Sequence, residues 1–304
     1  MMYLLLLAGF FLLIKGADYF VEASSSVAKT LRVPSIIIGL TIVAFGTSAP
    51  ELAVSVTAAM AGNNDIAVGN VIGSNLFNLL VVLGTCGLIL PIKVKLRWDY
   101  FATALVTVTL FVLIAFDMKL GRIDGLFLLS VFVVFIGLAI RDALVNRIQS
   151  TEEFEVLSPL RCVVYIVGGL AAIAFGGELV VDNASKIAAS FGLSQNLIGL
   201  TIVALGTSLP ELVTSIVASR KGENGLAIGN VIGSNLFNIM MVLALSAVIS
   251  PIPINPLSVQ DTVLLIIATV ITLILCRRRN EISRLDGAVM VGMYAAYMVF
   301  IIVR

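Results

Sequence analysis

The feature that most constrains this chain is a long internal duplication. The peptide GLTIVAFGTSAPELAVS, residues 39–55, returns 160 residues later as GLTIVALGTSLPELVTS, residues 199–215. Each copy is followed at the same distance by GNVIGSNLFN, and 27 of the 40 positions from 39 to 78 are identical to their partners at 199–238. A duplication of this length predicts two structurally equivalent halves.

Composition places both halves in a membrane. The chain has 304 residues, of which 60% are hydrophobic and 12% charged, whereas a soluble domain carries about 25% charged residues. The net charge is +1 and no basic stripe indicates a nucleic-acid partner. The three cysteines lack the spacing of a zinc site or a disulfide framework. Because the N-terminus lacks a charged leader and a small-residue cleavage site, it is predicted to be a spanning helix.

A spanning helix needs roughly 20 apolar residues, and this criterion predicts ten of them. The predicted fold is an all-α integral membrane protein with one membrane domain, residues 1–304. It consists of a first half (1–141), a polar linker (142–160) and a second half (161–304). The predicted spans are 3–21, 35–61, 66–90, 98–117, 124–141, 161–181, 195–219, 226–250, 261–277 and 285–303.

The distribution of lysine and arginine predicts the orientation, because these residues are enriched in cytoplasmic loops. With the N-terminus outside, 14 of them fall in inside loops and 4 in outside segments. Both termini are therefore predicted to be external, and the linker cytoplasmic. Five spans per half is an odd number, so the second half enters the membrane from the opposite face. The tandem repeat in sequence thus becomes an inverted repeat in the membrane.

Each copy of the first motif combines a helix breaker with a carboxylate. Pro50 and Pro210 each remove a backbone donor and clash with the carbonyl four residues earlier, so the second and seventh spans are predicted to break at the membrane midplane. The break frees carbonyl oxygens, which need partners in hydrocarbon. Glu51 and Glu211 follow directly, and an ionisable residue at membrane depth indicates a functional site.

The donors that the break gathers are all hard oxygens, which predicts a cation site. They are the two carboxylates, the carbonyl oxygens near each break and the hydroxyls of Thr47, Ser48, Thr207 and Ser208. Such a set suits Ca²⁺, which takes about six to eight oxygens, or it can be divided among Na⁺ ions. It offers no soft ligand for Cu⁺ or Zn²⁺. Hydroxyls and amides of the second motif either bind ions, hold the glutamates in place or serve helix packing.

The two motifs together, GTSxPE and GNxxGSNxxN, each present twice, resemble the α-repeats of the cation/Ca²⁺ exchanger superfamily. The resemblance covers both halves and is strongest to prokaryotic sodium/calcium exchanger-like members. It implies a ten-helix fold in which the first and sixth helices slide across a core. It also implies a divalent site with side-chain ligands Glu51, Glu211, Thr47 and Thr207 and carbonyl ligands Ala44 and Ala204. Sodium sites would be completed by Ser48, Ser74, Asn78, Ser208, Ser234 and Asn238. The amide at Asn238 is similar to the potassium-independent pattern.

The leading hypothesis is a secondary antiporter of the plasma (inner) membrane that exchanges Na⁺ for Ca²⁺. Its only expected partners are the transported cations and the lipid bilayer, with no cofactor and no obligate protein partner. A Ca²⁺/H⁺ antiporter with the same fold is an alternative, because glutamates also bind protons. A cation channel is a more remote one. An enzyme is disfavoured, because no nucleophile, metal triad or cofactor motif accompanies the carboxylates.

Overall fold

A computed structural model describes residues 1–93, 98–146, 156–193, 202 and 204–303, and helices dominate it. The helices of the first half are α1 (Met2–Leu31), α2 (Ser35–Thr47), α3 (Ala49–Met60), α4 (Asn64–Ile89), α5 (Trp98–Asp117) and α6 (Arg122–Val145). Those of the second half are α7 (Pro159–Ser190), α8 (Ala204–Gly206), α9 (Leu209–Arg220), α10 (Asn224–Ile249), α11 (Pro256–Arg279) and α12 (Arg284–Val303).

The predicted helical membrane fold is confirmed. Within the described residues, eight helices are long and apolar enough to cross a bilayer, and the bent pair α2–α3 makes a ninth. The seventh predicted span, 195–219, lies partly outside the described residues, so the count of ten stays a prediction. Most of the linker predicted at 142–160 also lies outside them, at 147–155.

The helices α1 and α7 are about ten residues longer than the spans predicted at 3–21 and 161–181. The additional turns of α1 carry Ser24, Ser25 and Ser26, all of which are buried. A hydropathy criterion ends a span at such residues. In the structure these serines pack inside the protein, so the helix continues past them.

Two pairs of short strands supplement the helices. The strands are β1 (Ile92–Lys93), β2 (Lys119–Leu120), β3 (Ile252–Pro253) and β4 (Glu281–Ile282). The antiparallel pairs are β1 with β4, in which Ile92 faces Ile282, and β2 with β3, in which Leu120 faces Ile252. β1 follows Pro91 and β3 follows Pro251, which occupy equivalent positions in the two halves. The duplication therefore extends to the connections between helices.

The chain forms two compact units, each built from both halves of the sequence. The first unit comprises Met1–Pro50 and Ile140–Asn230, and the second comprises Glu51–Ala139 and Val231–Arg304. The boundary after Pro50 falls inside the first motif. Glu51 is thus the first residue of the second unit, whereas Glu211 lies within the segment Ile140–Asn230 of the first unit.

In the first unit, α1 and α7 pack through glycines at equivalent positions of the repeat. A Cβ added to Gly16 would lie 2.8 Å from the carbonyl oxygen of Gly169, and one added to Gly9 would lie 2.9 Å from that of Gly176. Only glycine permits this close backbone approach. A polar contact adds to it, since Lys221 Nζ lies 2.6 Å from Asp18 Oδ1. These contacts hold α1 against both α7 and the turn that follows α9.

In the second unit, α12 packs on α4 through Gly287, and we expect Gly287→Ala to destabilise the protein. The added Cβ would collide with the carbonyl oxygen of Gly84 and lie 2.8 Å from the backbone nitrogen of Leu88. Overpacking of this kind costs about 1–3 kcal/mol. A lower thermal unfolding midpoint in detergent would show it. Gly292→Ala in the same helix is the control, because no described atom lies within 4 Å of its added Cβ. Equal unfolding midpoints for both variants would contradict the prediction.

Candidate cation site

The helix break predicted in the first motif is present at Ser48. This residue separates α2 from α3, and the two helices are bent by 48°. Its backbone angles, φ −85° and ψ 7°, match those of Ser208 in the second copy, φ −93° and ψ 5°. Pro50 and Pro210 lie in the first turn of the following helices, where a backbone N–H is not needed. The same local sequence therefore produces the same break twice.

The two glutamates begin the helices that follow the breaks. Glu51 lies in the first turn of α3 and Glu211 in the first turn of α9. Both side chains are fully buried, with 0% exposure. The positive end of a helix dipole stabilises a carboxylate at this position. No lysine or arginine occurs within either motif segment, 39–55 or 199–215.

In the first unit, Glu211 is held by residues from both halves of the sequence. Ser48 Oγ donates to Glu211 Oε1 at 3.0 Å. Asn230 Nδ2 donates to the Glu211 carbonyl oxygen at 3.3 Å and to Ser215 Oγ at 2.9 Å. Thr47 Oγ1 donates in turn to Asn230 Oδ1 at 2.9 Å. The amide of Asn230 thus links the two predicted ligands Thr47 and Glu211.

In the second unit, the Glu51 backbone has equivalent contacts to an asparagine, and its side chain contacts a different serine. Asn70 Nδ2 donates to the Glu51 carbonyl oxygen at 3.2 Å and to Ser55 Oγ at 2.9 Å. Ser74 Oγ donates to Glu51 Oε1 at 3.4 Å. The two asparagine-centred networks therefore agree closely in their bond lengths.

Sequence reasoning missed Asn70 and Asn230, together with the serines that they bond. A signal for them was available in the duplication. Each asparagine lies 19 residues after its glutamate. Each serine, Ser55 or Ser215, lies one helical turn after the same glutamate. A polar residue that lies at the same distance from the glutamate in both copies is thus a candidate functional residue.

The predicted carbonyl ligands are less open than the sequence implied. The Ala44 carbonyl oxygen, a ligand implied by the resemblance, accepts a hydrogen bond from the Ser48 backbone N–H at 3.0 Å. Pro50 removes the backbone donor for the carbonyl four residues earlier, that of Gly46, so the helical bond of Ala44 survives. Thr47 Oγ1 also lies within hydrogen-bond distance of this oxygen, at 3.5 Å, so donors face both of its lone pairs. Ala204 is the first residue of α8.

The other predicted ligands are mostly buried. Ser208 and Ser234 are fully buried, whereas Thr207 is partly exposed. Asn78 and Asn238 are also fully buried, and each begins a π-helical segment, Asn78–Val82 or Asn238–Leu243. Such wide turns occur often at functional sites. In the second unit the Asn238 amide contacts Asn75, a residue outside the predicted ligand set.

Comparison with known proteins bears on what these networks bind. The sequence matches the family described as sodium/calcium exchanger protein over residues 1–141 and 162–303. The chain belongs to the sodium/calcium exchanger family. It is 34% identical to the sodium/calcium exchanger MaX1 of Methanosarcina acetivorans, covering 98% of this chain and 97% of MaX1. It is 37% identical to the inner membrane protein YrbG of Escherichia coli K12, covering 97% of this chain and 94% of YrbG.

A solved structure extends the similarity to the fold of this exchanger. The sodium-calcium exchanger NCX_Mj, soaked with zero Na⁺ and Ca²⁺, superimposes with a TM-score of 0.87 and 31% sequence identity. The match covers 99% of this chain and 98% of NCX_Mj. Family membership and this match support cation/Ca²⁺ exchange by a multi-pass membrane protein.

Proposed function

We propose that this exchanger moves Ca²⁺ against inward Na⁺ by alternating access. The observation that carries the proposal is the repeated network around Glu51 and Glu211. Each carboxylate is fully buried at a helix start, and an asparagine fixes its backbone through bonds of 3.2 or 3.3 Å. A charge in an apolar segment is costly unless a counter-ion is present. A transported cation supplies that counter-ion at both glutamates.

The donors around each glutamate match the chemistry of Na⁺ and Ca²⁺. They are carboxylate, hydroxyl, amide and carbonyl oxygens, all hard ligands. We propose that Glu51, Glu211, Thr47 and Thr207, with the carbonyls of Ala44 and Ala204, bind the divalent ion. The hydroxyls and amides that complete the Na⁺ sites are then those of Ser48, Ser74, Asn78, Ser208, Ser234 and Asn238.

Competition for the two carboxylates couples the ions. Either one Ca²⁺ or several Na⁺ neutralise the same buried negative charge, and only the neutralised protein changes the face to which it is open. Without a bound cation the protein carries two buried carboxylates whose negative charge is not neutralised by an ion, which opposes that change. Exchange therefore requires that one ion species leaves as the other binds.

The proposal also includes the cellular location of the protein and its binding partners. The exchanger resides in the inner membrane, which the name of its relative YrbG supports, with both termini external and the linker 142–160 cytoplasmic. The ten-helix inverted repeat of residues 1–304 forms one transport domain. It needs no cofactor and works without an obligate protein partner.

Uptake of radiolabelled Ca²⁺ into proteoliposomes tests the coupling ion. Vesicles are loaded with Na⁺, with K⁺, or with K⁺ under an imposed pH gradient. We expect uptake only with internal Na⁺. Uptake driven by the pH gradient without Na⁺ would instead assign the chain to Ca²⁺/H⁺ antiport. Uptake down the Ca²⁺ gradient without any counter-ion would indicate a channel. Either result would contradict Na⁺/Ca²⁺ exchange.

A further inference from the structure

Four asparagines of the duplicated second motif lie together in the second unit. They are Asn75 and Asn78 on α4 and their repeat partners Asn235 and Asn238 on α10. Each has at most 1% exposure. Buried amides normally form hydrogen bonds through both their donor and acceptor atoms. The pattern of bonds among these four is therefore informative.

One part of the pattern is symmetric. Asn75 Nδ2 donates to the backbone carbonyl of Asn235 at 3.2 Å, and Asn235 Nδ2 donates to the backbone carbonyl of Asn75 at 3.2 Å. These two bonds are equivalent under the repeat and join α4 to α10. We refer to them as the asparagine clasp. The clasp uses the donor atom of each residue and leaves each side-chain oxygen available as an acceptor.

The other part of the pattern is asymmetric. Asn238 Nδ2 donates to Asn75 Oδ1 at 3.1 Å. The equivalent bond in the other copy would join Asn78 Nδ2 to Asn235 Oδ1. Neither of these two atoms has a hydrogen-bond partner within the part of the chain that the structure describes. One of two chemically identical bonds is therefore formed while the other is open.

An inverted repeat gives this asymmetry a meaning. If the two halves exchange their conformations, the protein closes on one side of the membrane and opens on the other. The bond between Asn75 and Asn238 would then be broken, and the bond between Asn235 and Asn78 would be formed. Because the number of hydrogen bonds is the same in both arrangements, neither is favoured by these amides alone. That balance is what a reversible transporter needs.

We propose that Asn75 and Asn235 are positioning residues that alternately fix the amides of Asn238 and Asn78 as the exchanger changes the face to which it is open. The proposal rests on the proposed exchange function and adds which bond belongs to which state. In the state described here, the Asn238 amide is fixed and the Asn78 amide is not. The clasp persists in both states and keeps α4 and α10 in register.

The matched variants Asn75→Ala and Asn235→Ala test the proposal. Both remove one clasp donor, so they share any structural effect. They differ in that Asn75→Ala removes the acceptor for Asn238, whereas Asn235→Ala removes the acceptor for Asn78. One hydrogen bond shifts a two-state equilibrium by about three- to tenfold. The apparent KM for Ca²⁺ at each face, measured in vesicles of defined orientation, reports that shift.

We expect the ratio of the two KM values to change about three- to tenfold in opposite directions for the two variants. The double variant should return the ratio to near the wild-type value, because the two shifts cancel. A purely structural role would lower the maximal rate in both variants and leave the ratio unchanged. Shifts in the same direction, or no shift of the ratio, would overturn the proposal.

Hydrogen exchange of the purified protein separates this proposal from the exchange function itself. The turns at 61–63 and 221–223 end equivalent helices of the two repeats. We expect Asn75→Ala to raise exchange at one turn relative to the other, and Asn235→Ala to do the reverse. This readout needs no transport. If the wild type failed to exchange Na⁺ for Ca²⁺, opposite shifts would still support the alternating amides and equal shifts would refute them.

Discussion

Glu211→Gln lowers Na⁺-driven Ca²⁺ uptake by at least about a hundredfold, and Glu51→Gln does the same. Each substitution keeps the size of the side chain and removes one of two buried negative charges. A pair of unit charges at 4 Å interacts by about 4 kcal/mol at an effective dielectric constant of 20. Each tenfold change in binding takes about 1.4 kcal/mol. Initial rates in proteoliposomes at matched protein content measure the effect.

The control for both variants is Glu178→Gln, which makes the same charge change on the exposed side of α7. We expect it to transport Ca²⁺ at close to the wild-type rate. Thermal unfolding without Ca²⁺ should show that the Gln variants fold, because removing a buried charge does not create a cavity. Added Ca²⁺ should raise the unfolding midpoint of the wild type only. A Glu51→Gln or Glu211→Gln variant that transports normally would refute the assigned ligands.

Asn230→Ala raises the apparent KM for Ca²⁺ about tenfold or more. The substitution removes the bonds from Asn230 to the Glu211 carbonyl and Ser215 Oγ, and the bond that it accepts from Thr47. A buried polar group left without its partner costs about 1–3 kcal/mol. Since Asn230 fixes the backbone of one ligand and the hydroxyl of another, part of this cost appears as weaker ion binding. KM and maximal rate of Ca²⁺ uptake measure it.

Two comparisons make the Asn230 result specific. Asn70→Ala removes the equivalent bonds to the Glu51 carbonyl and Ser55, so it should raise KM in the same direction. Asn146→Ala, at an exposed position at the end of α6, should leave KM unchanged. If Asn230→Ala lowered the unfolding midpoint but kept the wild-type KM, its role would be structural alone.

Local chemistry decided which features could be predicted from the sequence. A proline four residues after a glycine favours a break inside a helix, so the break at Ser48 was predictable from one segment. The burial of Glu51 and Glu211 was predictable too, because each lies in an apolar stretch without a basic residue. Repetition of both features in the two copies strengthened each prediction.

Features that depend on distant contacts were not predictable from any one local segment. The bonds of Asn70 and Asn230 join one motif to the next across 19 residues, and nothing local distinguishes such an amide from a packing residue. The lengths of α1 and α7 depend on where polar residues are buried by other helices. The different bonding of Asn78 and Asn238 cannot be predicted from sequence at all, because the two motif copies are identical there. Under the proposal above, the difference reflects the conformational state of the protein.

Calorimetric titration of the purified protein with Ca²⁺ at increasing Na⁺ concentrations tests the central claim most directly. The claim is that both ions compete for Glu51 and Glu211. It predicts an apparent Ca²⁺ Kd that rises with Na⁺ but not with K⁺, and loss of the binding heat in Glu51→Gln and in Glu211→Gln. A Ca²⁺ Kd that is independent of Na⁺, or unchanged binding in either variant, would contradict it.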